Sequence, residues 1–208
     1  MEAGQSEFMV FVRAIAAGDV PGARAMLAHS PLLATTRLER GSGATRESAS
    51  DWFLQEVGHY VYAGDTALHV AAAGYHLDIV RALLDEGAAV AARNRRGAEP
   101  LHYAADGQPG SANWHPDAQA ATVTCLIRAG ADPDALDRSG VAPLHRAVRT
   151  RCAAAVAALL DGGADPRITN KRGSTPLDLA GRTTGRGGSG TPEAKAQQEQ
   201  ILRLLGPR

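Results

Sequence analysis

Gly64-Asp65-Thr66-Ala67-Leu68-His69-Val70-Ala71-Ala72 is the stretch that decides the fold, because its central tetrapeptide returns along the chain. Thr66–His69 reappears as Glu99–His102 after 33 residues, as Ala142–His145 after a further 43, and as Thr175–Asp178 after another 33. A tetrapeptide that recurs at a period near 33 residues is the signature of a stacked repeat. The period therefore predicts a solenoid of helix pairs.

Each unit also carries helix boundaries at fixed places. Proline is tolerated at the first position of a helix, and glycine supplies the left-handed residue that ends one. These residues are Pro100, Pro143 and Pro176 at the starts of first helices, and Gly87, Gly130 and Gly163 at the ends of second helices. Between such boundaries Ile79, Val80, Leu83 and Leu84 form one apolar face at helical spacing. A single unit cannot bury that face, so neighbouring units must stack.

The pattern predicts a single domain over residues 1–208, with about five repeats and three insertions. We expect the repeats at residues 7–38, 64–96, 97–139, 140–172 and 173–205. We expect the insertions at residues 41–63, 106–117 and 183–192. The first repeat lacks the tetrapeptide, as terminal repeats often do, and insertions on one side of an array often form its binding face.

Residues 5–205 resemble the ankyrin-repeat family, most closely in Gly64–Ala72 and the following Leu77–Leu84. The resemblance implies an all-α solenoid with short β-hairpin fingers and a concave face that binds proteins. It also implies a structural role for His69, His102 and His145, whose imidazoles would bridge the backbones of adjacent repeats. The chain departs from the family pattern at Asp178, which replaces the histidine, and at Glu99 and Ala142, which replace the capping threonine.

Composition limits the classes of function. The chain has 22 basic and 22 acidic residues and a formal net charge of zero, which argues against a general attraction to nucleic acid or membranes. No apolar secretory or membrane-spanning run is present, so we expect a cytoplasmic protein, and we expect a monomer without cofactor or metal. Cys125 and Cys152 are expected to be buried thiols. The many arginine, alanine and glycine residues favour a bacterial source.

Basic residues at the expected fingers and helix ends predict a partner-binding face. The predicted contact residues are Arg95, Arg96, Arg138, Arg149, Lys171, Arg172, Arg182 and Trp114. Arginine binds carboxylate or phosphate in a bidentate manner, so the expected partner is an acidic segment of another protein. The alternative interpretation is that these are ordinary turn residues, paired with Asp106, Asp134, Asp137 and Asp178.

A glycine-rich loop at residues 184–190 suggests a second kind of ligand. Arg186, Gly187 and Gly188 could direct a side chain and backbone N–H groups at an anion. The loop lacks the ending of a P-loop and does not follow a strand, so a turn-forming insertion is the alternative. Together with the arginine face, it makes a small anion, a nucleotide or a nucleic acid the alternative to a protein partner.

Aromatic residues concentrate in the insertions, at Trp52, Tyr60, Tyr62 and Trp114. Such side chains either pin an insertion to the stack or anchor a partner. We expect pinning for Trp52 and Tyr60, and leave both roles open for Trp114. No nucleophile, acid–base pair or metal motif stands out, so we predict a protein without catalytic activity.

Overall fold

The structure, a computed structural model, describes residues 2–39, 52–111, 114–182 and 192–206. Ten α-helices in these residues form five consecutive pairs, which confirms the predicted all-α stack. The helices are α1 Glu2–Ala16, α2 Val20–His29, α3 Ala67–Ala73, α4 Leu77–Asp85, α5 Pro100–Ala105, α6 Pro116–Arg128, α7 Pro143–Arg149, α8 Ala153–Asp161, α9 Pro176–Ala180 and α10 Pro192–Leu205. First helices pack on first helices and second helices on second helices, as in α3 on α5 and α6 on α8.

The predicted helix boundaries are confirmed. Helices α5, α7 and α9 begin at Pro100, Pro143 and Pro176, where the missing N–H would have no partner within the helix. Gly87, Gly130 and Gly163 follow the second helices with φ of +82°, +97° and +94°. Only glycine adopts this conformation without strain, so each second helix stops at the same place in its repeat.

The core runs the whole length of the stack. Its largest fully buried side chains include Phe8, Phe11, Ile15, Leu68, Ile79, Leu83, Leu101, Leu126, Leu144, Leu159 and Ile201. At the C-terminal helix, two amide side chains of α10 also bind the stack. Gln197 Oε1 accepts from Ala153 N at 2.9 Å, and Gln198 Nε2 donates to Ala180 O at 2.7 Å.

The fingers are tight turns, whereas the sequence suggested short hairpin strands. Their tips are Asn94–Gly97, Asp137–Gly140 and Asn170–Gly173, in which Oδ1 of the first residue accepts two backbone N–H bonds. These bonds satisfy the donors that a strand ladder would otherwise use. In the described part of the chain, the one regular sheet is the pair β1 Phe53–Leu54 and β2 His59–Tyr60, which lies in the first insertion.

Candidate partner-binding surface

The basic residues predicted at the fingers are the central residues of the three turns. We call Arg95, Arg96, Arg138, Lys171 and Arg172 the fingertip row; all five side chains are exposed. Backbone hydrogen bonds join neighbouring tips, because Arg138 N donates to Arg96 O at 2.9 Å and Lys171 N to Ser139 O at 3.4 Å. Cations from three repeats therefore lie side by side along one edge of the stack.

The cations of the fingertip row are exposed to solvent and have no carboxylate partner among the described residues. Among the residues that the structure describes, no carboxylate oxygen lies within 4.0 Å of a charged nitrogen in the row. Exposed guanidinium and ammonium groups in such a row attract anions and can bind carboxylate or phosphate oxygens directly. The row therefore offers a ligand cationic donors that no carboxylate of the described residues neutralises.

Tyr62, from the first insertion, supports the first two arginines of the row. Its ring centroid lies 5.4 Å from Arg95 Cζ and 5.0 Å from Arg96 Cζ, and its hydroxyl accepts from Arg96 Nη1 at 3.0 Å. The guanidinium groups are thus held against an aromatic ring, which favours them electrostatically. Beside them is an open depression of about 310 Å³, lined by Arg95, Arg96, Asp137, Arg138 and Ser139.

Asp137 lines the same depression, but its carboxylate is already engaged. It accepts from Ser139 N at 2.8 Å, from Val141 N at 3.0 Å and from Arg146 Nη2 at 3.0 Å. Although burial opposes the change, these bonds hold the pKa of Asp137 below its usual value. The aspartate is therefore part of the finger and of the bond to α7, and it leaves the three arginines free for a ligand.

The first insertion folds back onto the stack as a hairpin over residues 53–60, which we call the insertion hairpin. Its strands are antiparallel, with Phe53 opposite Tyr60 and Leu54 opposite His59. Because side chains alternate along a strand, Leu54 faces inward and is 3% exposed, whereas Tyr60 faces outward and is 41% exposed. Tyr60, which we expected to pin the insertion, contacts Phe53 of the same hairpin, with ring centroids 4.8 Å apart and ring planes tilted by 53°.

The inward side of the insertion hairpin covers first helices of the stack. The His59 ring lies 5.2 Å from the ring of Tyr103 in α5. Val57 reaches the end of α3, where a Cβ on Gly74 would lie 2.9 Å from its Cγ1. Part of the face predicted to bind a partner is therefore occupied by the chain itself.

Arg149 and its neighbour Arg146 lie on α7 and contact Asp106 at the end of α5. Arg146 donates from Nη1 to Asp106 Oδ2 at 2.9 Å, and Arg149 Nη2 lies 3.6 Å from Asp106 Oδ1. Burial opposes ionisation of Asp106, but the cations, chiefly Arg146, hold its pKa below the usual value. Arg149 thus has a carboxylate in ion-pair range within the stack, while its contact with a partner stays a prediction.

The remaining predicted residues are in different surroundings. Trp114 is half-buried against the core and donates from Nε1 to Gln119 Oε1 at 2.9 Å, while Trp52 is also half-buried against the core. Arg182 is exposed and donates from Nη2 to Ser174 Oγ at 3.3 Å. Arg186, Gly187 and Gly188 lie outside the described residues, as does the whole of loop 184–190.

Three histidines connect successive repeats through their two ring nitrogens. In each, Nδ1 accepts from the backbone N–H three residues earlier, so the proton lies on Nε2 and is donated to a carbonyl of the next finger. Nδ1 accepts from Thr66 N in His69, from Glu99 N in His102 and from Ala142 N in His145. Nε2 donates to Ala98 O, Val141 O and Ser174 O, in the same order, and all six distances are 3.0–3.2 Å. Burial lowers the pKa of each imidazole, and lowers that of His102 to about 4.

Asp178 replaces the histidine in the fourth occurrence of the tetrapeptide, Thr175–Asp178. Its carboxylate accepts from Thr175 N and from Thr175 Oγ1, both at 2.8 Å, and so keeps the bonds within its own repeat. A carboxylate has no proton for a following carbonyl, and the next element along the stack is α10. Asp178 therefore keeps one half of the imidazole bridge, the bond to the backbone N–H three residues earlier.

Sequence reasoning missed the residues that shape and support the fingertip row. Asn94, Asp137 and Asn170 each precede a glycine by three residues, and this spacing was a readable signal for a turn. The support that Tyr62 provides had no comparable signal, since an insertion has no repeat register. Within the described ranges no three His, Cys, Asp or Glu side chains form a metal-binding group, and no helix has an apolar stretch long enough to cross a membrane.

Two segments of the chain match family models of ankyrin repeats, and about two fifths of it align with known proteins. A family model described as ankyrin repeats (3 copies) matches residues 43–114, and another described as ankyrin repeats (many copies) matches residues 126–180. Ankyrin repeat and SOCS box protein 16 of Mus musculus is 40% identical over 89 residues, which are 42% of this chain and 19% of that protein.

Ankyrin repeat and KH domain-containing protein mask-1 of Caenorhabditis elegans is 35% identical over 85 residues, 41% of this chain and 3% of that protein. The aligned regions thus span less than a fifth of either relative, both of which are animal proteins. Because the repeat period, the five helix pairs, the bridging histidines and both family models agree, this chain belongs to the ankyrin-repeat family.

Proposed function

We propose that this protein is a binding module that captures an acidic segment of another protein along the fingertip row. Ankyrin repeats are generally interaction modules without catalytic activity, and their stacks offer extended binding surfaces. The observation that carries the proposal is the row itself: five exposed cations from three repeats, with no carboxylate of the described chain in ion-pair range.

Other parts of the surface define how a partner would approach. The insertion hairpin occupies the face formed by α3 and α5, so the partner segment would run along the fingertips and onto the uncovered repeats that follow. Phe53 and Tyr60 face outward from the hairpin and offer an aromatic contact at its side. Arg182 and the exposed Leu177 extend the surface toward the last repeat. Arg149 and Trp114 are engaged within the stack and act as supports.

Charge reversal tests the proposal. A fluorescent peptide of ten residues, mainly glutamate, would be titrated with the wild-type protein and with Arg95→Glu/Arg138→Glu/Lys171→Glu. Because electrostatic complementarity governs such an encounter, we expect the triple variant to lose binding. The matched control is Arg24→Glu/Arg128→Glu/Arg203→Glu, which changes the net charge equally at exposed positions of α2, α6 and α10. If both triple variants lose binding to the same extent, general charge attracts the peptide and the row is not its site.

A single-stranded oligonucleotide tests the alternative ligand. Binding to nucleic acid releases counterions and weakens steeply as salt rises. We expect the oligonucleotide to bind more weakly than the acidic peptide at physiological salt, since the chain has no net charge. Tighter binding of the oligonucleotide, with a steep salt dependence that the control variant retains, would favour the alternative.

A further inference from the structure

We propose that the depression between the first two fingertips binds a phosphorylated side chain of the partner segment. This inference rests on the proposed function, and it names the anion that part of the fingertip row takes. The site is lined by three arginines, Arg95, Arg96 and Arg138, together with Asp137 and Ser139. The support behind it is Tyr62, a residue of the insertion that a plain repeat does not have.

The charge of the depression fits a dianion better than a carboxylate. Three arginines line it, and Asp137, which also lines it, already accepts hydrogen bonds from Ser139 N, Val141 N and Arg146 Nη2. A carboxylate brings one negative charge and two oxygens. A phosphomonoester brings a charge of about −1.5 to −2 at pH 7 and three acceptor oxygens, so it can engage more than one guanidinium group. Arginine clusters recognise phosphorylated segments by this geometry.

Two of the three arginines, Arg95 and Arg96, lie against an aromatic ring before any ligand arrives. The Tyr62 ring lies under Arg95 and Arg96, and its hydroxyl accepts from Arg96 Nη1 at 3.0 Å. Arg138 N donates to Arg96 O at 2.9 Å, and a Cβ on Gly97 would lie 3.0 Å from Arg138 Cγ, so the two tips are in close contact. Side chains that are already ordered lose less entropy on binding, which raises their affinity for an anion of matching shape.

The same observations favour a protein segment over nucleic acid. Nucleic-acid-binding domains carry a clear basic excess, whereas this chain has zero formal net charge and an isoelectric point near 7.1. Single-stranded binding also uses aromatic faces for base stacking. The Tyr62 ring is instead in contact with the two guanidinium groups, and so it supports phosphate donors rather than a base.

Three matched peptides test the inference. One neutral ten-residue sequence would be made with phosphoserine, glutamate or serine at its centre, and binding would be followed by fluorescence anisotropy. We expect the phosphoserine peptide to bind about tenfold more tightly than the glutamate peptide, and the serine peptide not to bind. Arg138→Gln should lower the affinity for the phosphoserine peptide about tenfold. Arg128→Gln, at an exposed position of α6, should leave that affinity unchanged.

Variants of Tyr62 test whether its contacts with Arg95 and Arg96 contribute to binding of the phosphoserine peptide. Tyr62→Phe keeps the ring and loses one hydrogen bond, whereas Tyr62→Leu removes the ring. Tyr62→Phe should therefore lower the affinity for the phosphoserine peptide less than Tyr62→Leu does. Thermal unfolding and circular dichroism would show whether each variant is folded. If Tyr62→Leu does not fold, the comparison of Arg138→Gln with Arg128→Gln still decides, because Arg138 is exposed and has no carboxylate in ion-pair range among the described residues.

The outcomes separate this inference from the proposed function. Equal binding of the phosphoserine and glutamate peptides would overturn the phosphate site and leave an acidic-segment site in place. If the phosphoserine peptide does not bind while the glutamate-rich peptide still binds, the phosphate site is likewise overturned and the acidic-segment site remains. Loss of the glutamate-rich peptide alone would contradict the proposed function, while selective binding of phosphoserine would still support the site. An oligonucleotide bound more tightly than the phosphoserine peptide, and sensitive to Arg138→Gln, would overturn it in favour of nucleic acid.

Discussion

Arg146 Nη1 donates a 2.9 Å hydrogen bond to Oδ2 of Asp106, so a residue of α7 neutralises the residue that ends α5. The two side chains are 12% and 13% exposed, and Arg146 also donates to Asp137 in the finger at 3.0 Å. The arginine thus joins two first helices and a fingertip in one charged contact.

Replacing Arg146 should destabilise the protein strongly. Arg146→Met would leave Asp106 and Asp137 without their shared cation, and the loss of one partner of a buried pair costs about 3–5 kcal/mol. Urea unfolding would measure it. The control is Arg149→Met, one turn further along α7: its side chain is 38% exposed, so solvent screens its contact with Asp106 and we expect a loss below about 1 kcal/mol. Similar losses for the two variants would show that Arg146 has no special role.

The bridging histidines should make stability fall in mild acid. Burial lowers the pKa of folded His102 to about 4 from its ordinary value of 6.5, so the unfolded chain takes up the proton first. This contribution is complete above about pH 6.5 and is lost as the pH falls toward 4. Between pH 7 and pH 5 the loss from His102 alone is about 2 kcal/mol.

Urea unfolding of the wild type and His102→Gln at pH 7 and pH 5 would measure that loss. The variant has no proton to gain at this position, so its free energy of unfolding should change by about 2 kcal/mol less than that of the wild type. Equal changes in the two proteins would mean that His102 does not titrate between folded and unfolded states as the structure implies.

Two fingertip glycines differ only in their surroundings. Gly140 and Gly173 have φ of +70° and +72°, and an alanine in this region costs about 1 kcal/mol at either site. A Cβ on Gly140 would lie 2.8 Å from Lys171 N of the next finger, whereas a Cβ on Gly173 would have no atom of the described residues within 4 Å. Gly140→Ala should therefore destabilise the protein by about 1–3 kcal/mol more than Gly173→Ala in urea unfolding. Equal losses would mean that the fingers are not in close contact.

Trp114 should matter for stability and not for binding of the acidic peptide. Its indole N–H donates to Gln119, which is fully buried and whose Nε2 donates to Ala104 O at 3.0 Å. Trp114→Phe leaves the Gln119 Oε1 atom without this donor, at a cost of about 1–2 kcal/mol. Trp52→Phe is the control, with a smaller expected loss. Reduced affinity for the acidic peptide at unchanged stability would instead make Trp114 a partner contact.

The repeat period predicted the positions of the fingertip residues but not the contacts of every basic residue. The period placed Arg95, Arg138 and Lys171 at equivalent positions, and the structure shows their tips joined by backbone bonds. Arg149 had the same residue type but a different role, because its partner Asp106 is 43 residues earlier in the chain and approaches it only when the repeats stack. A local pattern cannot show which carboxylate a long side chain will reach.

The sequence by itself determined the scaffold of this protein. Proline and glycine act on backbone groups within a few residues of themselves, so their regular spacing was enough to place the helix ends. The histidine bridges reach carbonyls 29 to 39 residues away, and they were expected only from the family resemblance. Only the tertiary structure decided what the irregular parts do. The insertion hairpin lies against α5, and Tyr62 supports Arg95 and Arg96, because packing brings together segments more than 30 residues apart. Such contacts depend on side-chain shape and charge across space, and the repeat period carries no information about them.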